Sequence, residues 1–238
     1  MRNRIIISND APVGIKDLTK ELITNGLPAN SRSLYKGRNK VVATALESGI
    51  EVNVKAFRIP IAINRFAYGW IRRGKARRAF EFGLKMLSMG VSTPRPFAYV
   101  ECFDNVGFLH ESYFVSEQLN GWEEIRFAAS RPDFETLADA LARFVAGFHA
   151  KGVKMKDLSP GNVLVRTEPG GSYHFSLVDT NRMRFGVYDR KELARTCGAL
   201  FEDHSARRLF ARNYVRYAGL TDNYVELIMA SGVVDYDE

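Results

Sequence analysis

The sequence predicts an α+β fold in two lobes, strand-rich with one long helix in the first half and mostly helical in the second. Three observations predict it. Strand-forming runs occupy Leu34–Ala45, Glu51–Phe57, Pro96–Cys102 and Phe108–Gln118. A single helical stretch, Lys75–Met89, interrupts them. From Phe134 to about Met229 helical spacing dominates, broken by short strands at Val163–Val165 and Phe175–Val178. The first lobe is expected over residues 1–118 and the second over 119–238, together one domain, with a hinge near Glu117–Gly121.

Taken in order, the first two strands are separated by a turn at Ser48-Gly49. In the second of them, period-two alternation sets Val52, Val54 and Ala56 on one face and Asn53, Lys55 and Phe57 on the other. Ala76, Phe80, Leu84 and Leu87 give Lys75–Met89 its helical spacing, Gly90 is suited to cap it, and Pro94 and Pro96 oppose continuation. The next two strands surround a turn at Asp104-Asn105. Phe134, Leu137, Leu141, Phe144, Val145 and Phe148 then mark one face of a helix ending near Gly152. A turn at Pro169-Gly170-Gly171 joins the two short strands, and helical periodicity returns from Arg190.

Composition narrows the class without choosing a function. Hydrophobic residues make up 46% of the 238, enough for a sizeable core, and the charged fraction of 26% is ordinary. The net charge of +7 favours anionic partners: nucleotide phosphates, nucleic acid or an anionic membrane surface. Cys102 and Cys197 lie far apart without metal-ligand spacing, as expected of reduced thiols. The apolar run Ile5-Ile6-Ile7 is closed by Asn9 and Asp10, too short for a signal-peptide core. No apolar stretch reaches the length of a membrane-spanning helix, so the expectation is a cytoplasmic protein, at most peripheral on a membrane.

A strand-rich lobe with one helix, followed by a helical lobe, is the order of elements in a kinase-like fold. Phosphoryl transfer asks the protein for cations on the phosphates, metal ligands and a carboxylate that accepts the proton of the attacking hydroxyl. Each has a candidate. Asp157 and Asn162 lie five residues apart in a polar loop between a long amphipathic helix and an apolar strand. That spacing lets the carboxylate face an acceptor hydroxyl while the amide oxygen ligates magnesium. Asp179 ends the next strand, where the principal magnesium ligand belongs, although the chain reads Asp179-Thr180-Asn181-Arg182 in place of Asp-Phe-Gly. Lys55, inside a strand, needs an anionic partner, which phosphates and a helix glutamate would supply. Glu81 is the candidate glutamate. Gly37, with Lys36 or Arg38, is the candidate phosphate-covering turn, without the three glycines of the protein-kinase pattern. Each residue also has a plain reading: a solvent-facing lysine, a surface glutamate, a turn-forming aspartate. It is their order on the expected elements that makes them a constellation.

Several stretches together resemble the lipopolysaccharide kinase (Kdo/WaaP) family. They are Val52–Phe57, Gly74–Glu81, Gly90–Pro96, Asp157–Leu164 and Val178–Met183, spanning about Tyr35 to Phe185. The resemblance implies a protein-kinase-like bilobal fold, ATP with Mg2+, and a sugar hydroxyl of the lipopolysaccharide core (Kdo or heptose) as acceptor. It implies Lys55 on the phosphates, Glu81 on Lys55, Asp157 as base, and Asn162 and Asp179 as metal ligands. It also implies a bacterial enzyme acting on a saccharide or glycolipid in the cytoplasm, at the inner face of the inner membrane. Three features depart from the pattern. Met155 stands where a histidine often precedes the catalytic aspartate. Asn53 replaces the small residue two before the lysine. The chain after Asp179 leaves little room for an activation segment, which favours a small or glycolipid acceptor over a protein.

The competing readings are a protein kinase and an ATP-binding pseudokinase scaffold. An RNA-binding module would share the basic charge but leave the metal-ligand constellation unexplained. The interleaved stretch Arg65–Arg73 suits either anionic lipid headgroups or a packed segment with solvated arginines. His149 is read either as a brace for the catalytic loop or as a packing histidine, and Arg207, Arg208 and Arg212 as a solvated helix face.

Overall fold

The computed structural model describes residues 2–58 and 73–231, which fall into two compact units: Met1–Ser88 with Pro94–Asn120, and Met89–Thr93 with Gly121–Glu238. The strand-rich first unit and the mostly helical second unit are the protein-kinase-like arrangement that the sequence predicts.

The first unit is an antiparallel six-stranded sheet in the order β1-β5-β6-β4-β3-β2. Its strands are β1 (Arg2–Ile7), β2 (Arg32–Lys36), β3 (Lys40–Ala45), β4 (Glu51–Ala56), β5 (Pro96–Phe103) and β6 (Leu109–Glu117). The expected alternation of β4 holds. Val52 and Val54 are fully buried with Ala98, Val100 and Val115 against Ile15, Leu18 and Leu22 of helix α1 (Ile15–Thr24). Phe57, just past β4, joins Tyr99 and the buried Ala76, Ala79 and Phe80 of helix α2 (Lys75–Ser88). Phe80 meets Tyr99 edge-to-face with ring centroids 5.4 Å apart. The sheet is therefore covered by one helix on each face.

Three features differ from expectation. On α2 the buried stripe is Ala76, Ala79, Phe80, Gly83 and Met86, while Leu84 and Leu87, expected on it, are exposed, because small residues let the helix approach the sheet closely. Leu34–Ala45 is not one strand: Gly37–Asn39 turns the chain, with Gly37 N donating to Asn39 O at 3.1 Å, and splits it into β2 and β3. The amino-terminal segment forms β1 and α1, which stand outside the sequence expectations. Ile15, Leu18 and Leu22 do sit at helical spacing, but β1 alternates weakly because it is an edge strand with little burial.

The second unit is built on helix α3 (Phe134–Ala150), whose buried stripe Leu137, Leu141, Val145 and Phe148 matches the predicted face. Helix α5 (His204–Tyr217) packs on it, followed by α6 (Asn223–Ala230), with α4 (Arg190–Thr196) before them. Asp189 and Asp203 cap α4 and α5, accepting from Lys191 N and Ala206 N at 2.7 Å each. Two small sheets complete the unit. One orders β10 (Tyr173–Leu177), β9 (Val163–Thr167) and β7 (Glu123–Glu124); the other pairs β8 (Val153–Met155) with β11 (Met183–Phe185). Arg65–Arg72 lie outside the described residues. Arg207 and Arg208 are partnered on α5, the first to Phe201 O at 2.8 Å and the second to Glu226 at 2.8 Å.

Candidate active site

The loop Lys156–Asn162 leaves β8 and enters β9, so both its ends are held by sheet pairing. Leu158, 2% exposed, pins its middle to the core. Pro160–Asn162 forms a 3-10 turn, which Asn162 N closes on Ser159 O at 3.0 Å. The Asn162 side chain then reaches back, its Nδ2 donating to the Asp157 carbonyl at 2.9 Å. That bond uses the amide's donor end, so its oxygen takes no part in it. The five-residue spacing thus has a local cause: it is one turn bridged by its own asparagine.

Asp179 is brought to the same corner by backbone. Val178 N donates to Asn162 O at 2.9 Å, which sets the end of β10 beside the loop. Thr93 does the rest from far away in sequence: its buried hydroxyl donates to Leu177 O at 2.7 Å, while Ser92 O accepts from Leu177 N at 3.0 Å. Asp179 itself has φ 59° and ψ 48°, the left-handed region, and among the described residues it is the sole non-glycine with positive φ. Such a conformation costs about 1–3 kcal/mol and persists where the surroundings over-determine it, often at functional sites. Asn181 Nδ2 hydrogen-bonds Asp179 Oδ1, and Thr180 and Asn181 are both buried. Arg182 Nη1 lies 3.3 Å from Asp157 Oδ2. Asp157, Asn162 and Asp179 are therefore gathered into one corner of the second unit.

Met155 explains how that corner does without the histidine. It is 1% exposed and pairs with Met183 across the β8–β11 ribbon, so an apolar contact ties the chain before Asp157 to the chain after Asp179. The ribbon closes at Gly152 and Gly186, where Gly186 N donates to Gly152 O at 2.9 Å. A Cβ on Gly152, already at φ 71°, would lie 2.4 Å from the Gly186 carbonyl, so glycine is required there. His149 is a packing histidine. It is buried, its Nδ1 meets the Tyr214 hydroxyl at 2.9 Å, and burial pushes its pKa down to about 3.

In the first unit the candidates sit on three separate elements. Lys55 is on β4, on the face that α2 covers, with Nζ 5.3 Å from the Phe57 ring centroid. Glu81 is on α2, and its carboxylate is taken by two arginines: Arg77 Nε at 2.7 Å and Arg73 Nη1 at 3.0 Å. Gly37 lies in the β2–β3 turn, folded under the Tyr35 ring so that a Cβ would meet Cζ at 2.7 Å. Asn53 donates to Gln118 Oε1 at 2.9 Å, tying β4 to the segment after β6. Sequence reading overlooked Arg73 and Arg77 as partners of Glu81. The i,i+4 spacing of Arg77 and Glu81 was the available signal.

A six-stranded sheet with one helix on each face, followed by a helical unit that carries the Asp157–Asn162 loop and Asp179, defines a protein-kinase-like protein. The family profile described as "Lipopolysaccharide kinase (Kdo/WaaP) family" matches residues 60–196. The chain belongs to this family, and the membership supports phosphotransferase-type enzymatic activity. Among solved structures it is similar to "WaaP in complex with acyl carrier protein", at 16% identity over 96% of both chains with a TM-score of 0.61. It is also similar to WbdD, at 14% identity over 85% of this chain and 50% of that one, with a TM-score of 0.50. At these identities the likeness concerns the fold. No curated protein matches the chain in sequence. Among the described residues no helix is long and apolar enough to cross a membrane.

Proposed function

We propose that the protein is an ATP- and Mg2+-dependent kinase that transfers the γ-phosphate to a sugar hydroxyl of the lipopolysaccharide core, Kdo or heptose. The observation that supports it best is the left-handed Asp179, held beside the Asp157–Asn162 loop by the Val178–Asn162 backbone bond. In this reading Asp157 accepts the proton of the acceptor hydroxyl as it attacks. Arg182, paired with Asp157, holds that carboxylate in orientation. Asn162 and Asp179 offer the oxygen donors a hard cation takes, and Mg2+ is commonly held by one or two such groups together with phosphate oxygens. When bound, the metal would neutralise charge developing on the transferred phosphoryl group.

Lys55 is assigned to the phosphates and Glu81 to Lys55, with the Gly37 turn covering the phosphates. The net charge of +7 suits both the nucleotide and an anionic glycolipid surface, in keeping with a reaction at the inner face of the inner membrane. Purified protein with ATP, Mg2+ and core lipopolysaccharide is expected to incorporate phosphate, and Asp157→Ala to reduce the rate at least about a hundredfold. Transfer by the variant at the wild-type rate would remove Asp157 as the base.

A further inference from the structure

The Asp157–Asn162 loop has a neighbour to which none of these roles applies. Strand β7 pairs with β9, the strand that the loop feeds, and sets Glu124 opposite Leu164. The 3-10 turn Ile125–Ser130 follows, bolted to the core by the fully buried Ile125 and Ala128. Arg126, on that turn, lays its guanidinium on the loop itself. A Cβ on Gly161 would fall 2.6 Å from Arg126 Nη2 and 3.4 Å from Glu124 Oε2, so the bare main chain of Gly161 is what lets both groups approach. Gly161 adjoins Asn162, whose Nδ2 bonds the Asp157 carbonyl. One short turn therefore carries the proposed base and rests against the arginine.

A second arginine on the same segment shows what a purely structural one looks like here. Arg131 has every nitrogen occupied: Nε and Nη2 bond Asp133 at 2.9 and 2.8 Å, Nη2 also bonds Thr167 Oγ1 at 3.0 Å, and Nη1 bonds Glu123 at 3.2 Å. Arg126 makes one such bond, from Nε to Glu124 Oε2 at 3.0 Å. Its two terminal nitrogens have no hydrogen bond among the described residues, and both partners of the pair are about half-exposed. An ion pair this exposed contributes little to stability. What it does is fix the plane of the guanidinium while leaving the Nη1/Nη2 edge open. That edge is a fork whose spacing matches the two oxygens of a carboxylate or phosphate.

We propose that Arg126 is a specificity-determining residue for the acceptor: it binds a carboxylate or phosphate that the saccharide carries near the attacking hydroxyl. The inference rests on the kinase reading above and sharpens it. An acceptor recognised by its charge is Kdo, which bears a carboxylate, or a phosphorylated heptose, in preference to bare heptose. The anion takes no part in the reaction, so the contact is as strong before the transition state as in it. Its loss belongs in the acceptor KM and leaves kcat alone.

The test is Arg126→Met on the full chain, with ATP, Mg2+ and two pairs of acceptors: Kdo against its carboxamide, and heptose phosphate against heptose. Methionine keeps an apolar stem over Gly161 and removes the charge. The wild type is expected to favour the anionic member of at least one pair about tenfold in kcat/KM, the worth of one charge-assisted hydrogen bond, and the pair concerned tells carboxylate from phosphate. Arg126→Met is expected to raise the KM of that acceptor about tenfold, with kcat and the KM for ATP within about twofold and the neutral member unaffected. Arg126→Lys is expected to recover part of the loss, as a point charge without the fork. Equal effects on neutral and anionic acceptors, or an unchanged KM, overturn the proposal. If the wild type phosphorylates none of these sugars, direct binding of the same sugars decides. Affinity for an anionic sugar that Arg126→Met loses supports the proposal, and equal affinity, or none, in both proteins overturns it. Failure on core lipopolysaccharide as well removes the kinase reading and leaves that binding result standing.

Discussion

The two groups of candidate residues are assembled by different means. In the second unit, Asp157, Asn162 and Asp179 are gathered largely by backbone: Val178 N to Asn162 O, Asn162 Nδ2 to Asp157 O, and the Met155–Met183 pairing of a short ribbon. In the first unit, Lys55, Glu81 and Gly37 stand on a strand, a helix and a turn, and Glu81 is held by arginine side chains. Main-chain bonds inside a packed corner move only with the fold, whereas half-exposed guanidinium–carboxylate pairs exchange partners cheaply. The contrast suits the tasks proposed for the two groups. Proton abstraction and metal ligation require pre-set geometry, while phosphate capture allows side chains to rearrange as the ligand arrives.

The sharpest way to break this comparison is Asp179→Gly. Glycine accepts φ 59° without cost, so Tm is expected to hold or rise by up to about 4 °C while phosphate transfer disappears. A variant that keeps transfer would show that Asp179 is a turn former and no ligand. Next is Met155→Ala, which removes a fully buried side chain from the ribbon. A loss of about 2–5 kcal/mol is expected in denaturant unfolding, against less than about 1.5 for Met155→Leu. Equal effects would mean the ribbon is not held by packing.

Glu81→Gln sharpens the other side. Its ion pairs are partly exposed, so Tm is expected to change by less than about 4 °C. Mg·ATP affinity is expected to fall about tenfold if Lys55 depends on the carboxylate. A large Tm drop with unchanged affinity would make Glu81 structural. A last test, on stability alone, concerns His149, whose pKa falls to about 3 through burial while the unfolded chain titrates near 6.5. The unfolded state then binds more protons in that window. Stability present above about pH 6.5 is expected to decline by up to about 1.4 kcal/mol per unit as pH falls below it. The slope should vanish in His149→Phe. A slope that survives assigns it to other groups.

Much of this was legible in the chain. Val52 and Val54 alternate as a half-buried strand requires, which put Lys55 on the opposite face, and Leu137, Leu141, Val145 and Phe148 announced α3. The single strand expected over Leu34–Ala45 was split because Gly37 can fold beneath Tyr35, a contact that no period-two pattern encodes. β1 was illegible because an edge strand buries too little to alternate cleanly.

By itself the sequence determined what local rules govern: the loop spacing from Asp157 to Asn162, the face of Lys55, and the stripe of α3. Tertiary structure decided the rest. It put Asp179 in the left-handed region, gave Glu81 to Arg73 and Arg77, and made Met155 a core residue. The contacts responsible join positions remote in the chain, Thr93 to Leu177 across 84 residues and Arg4 to Glu101 across 97. The physical reason is that periodicity reports which face of an element is buried. It carries no record of which distant side chain or carbonyl will stand opposite once two elements pack.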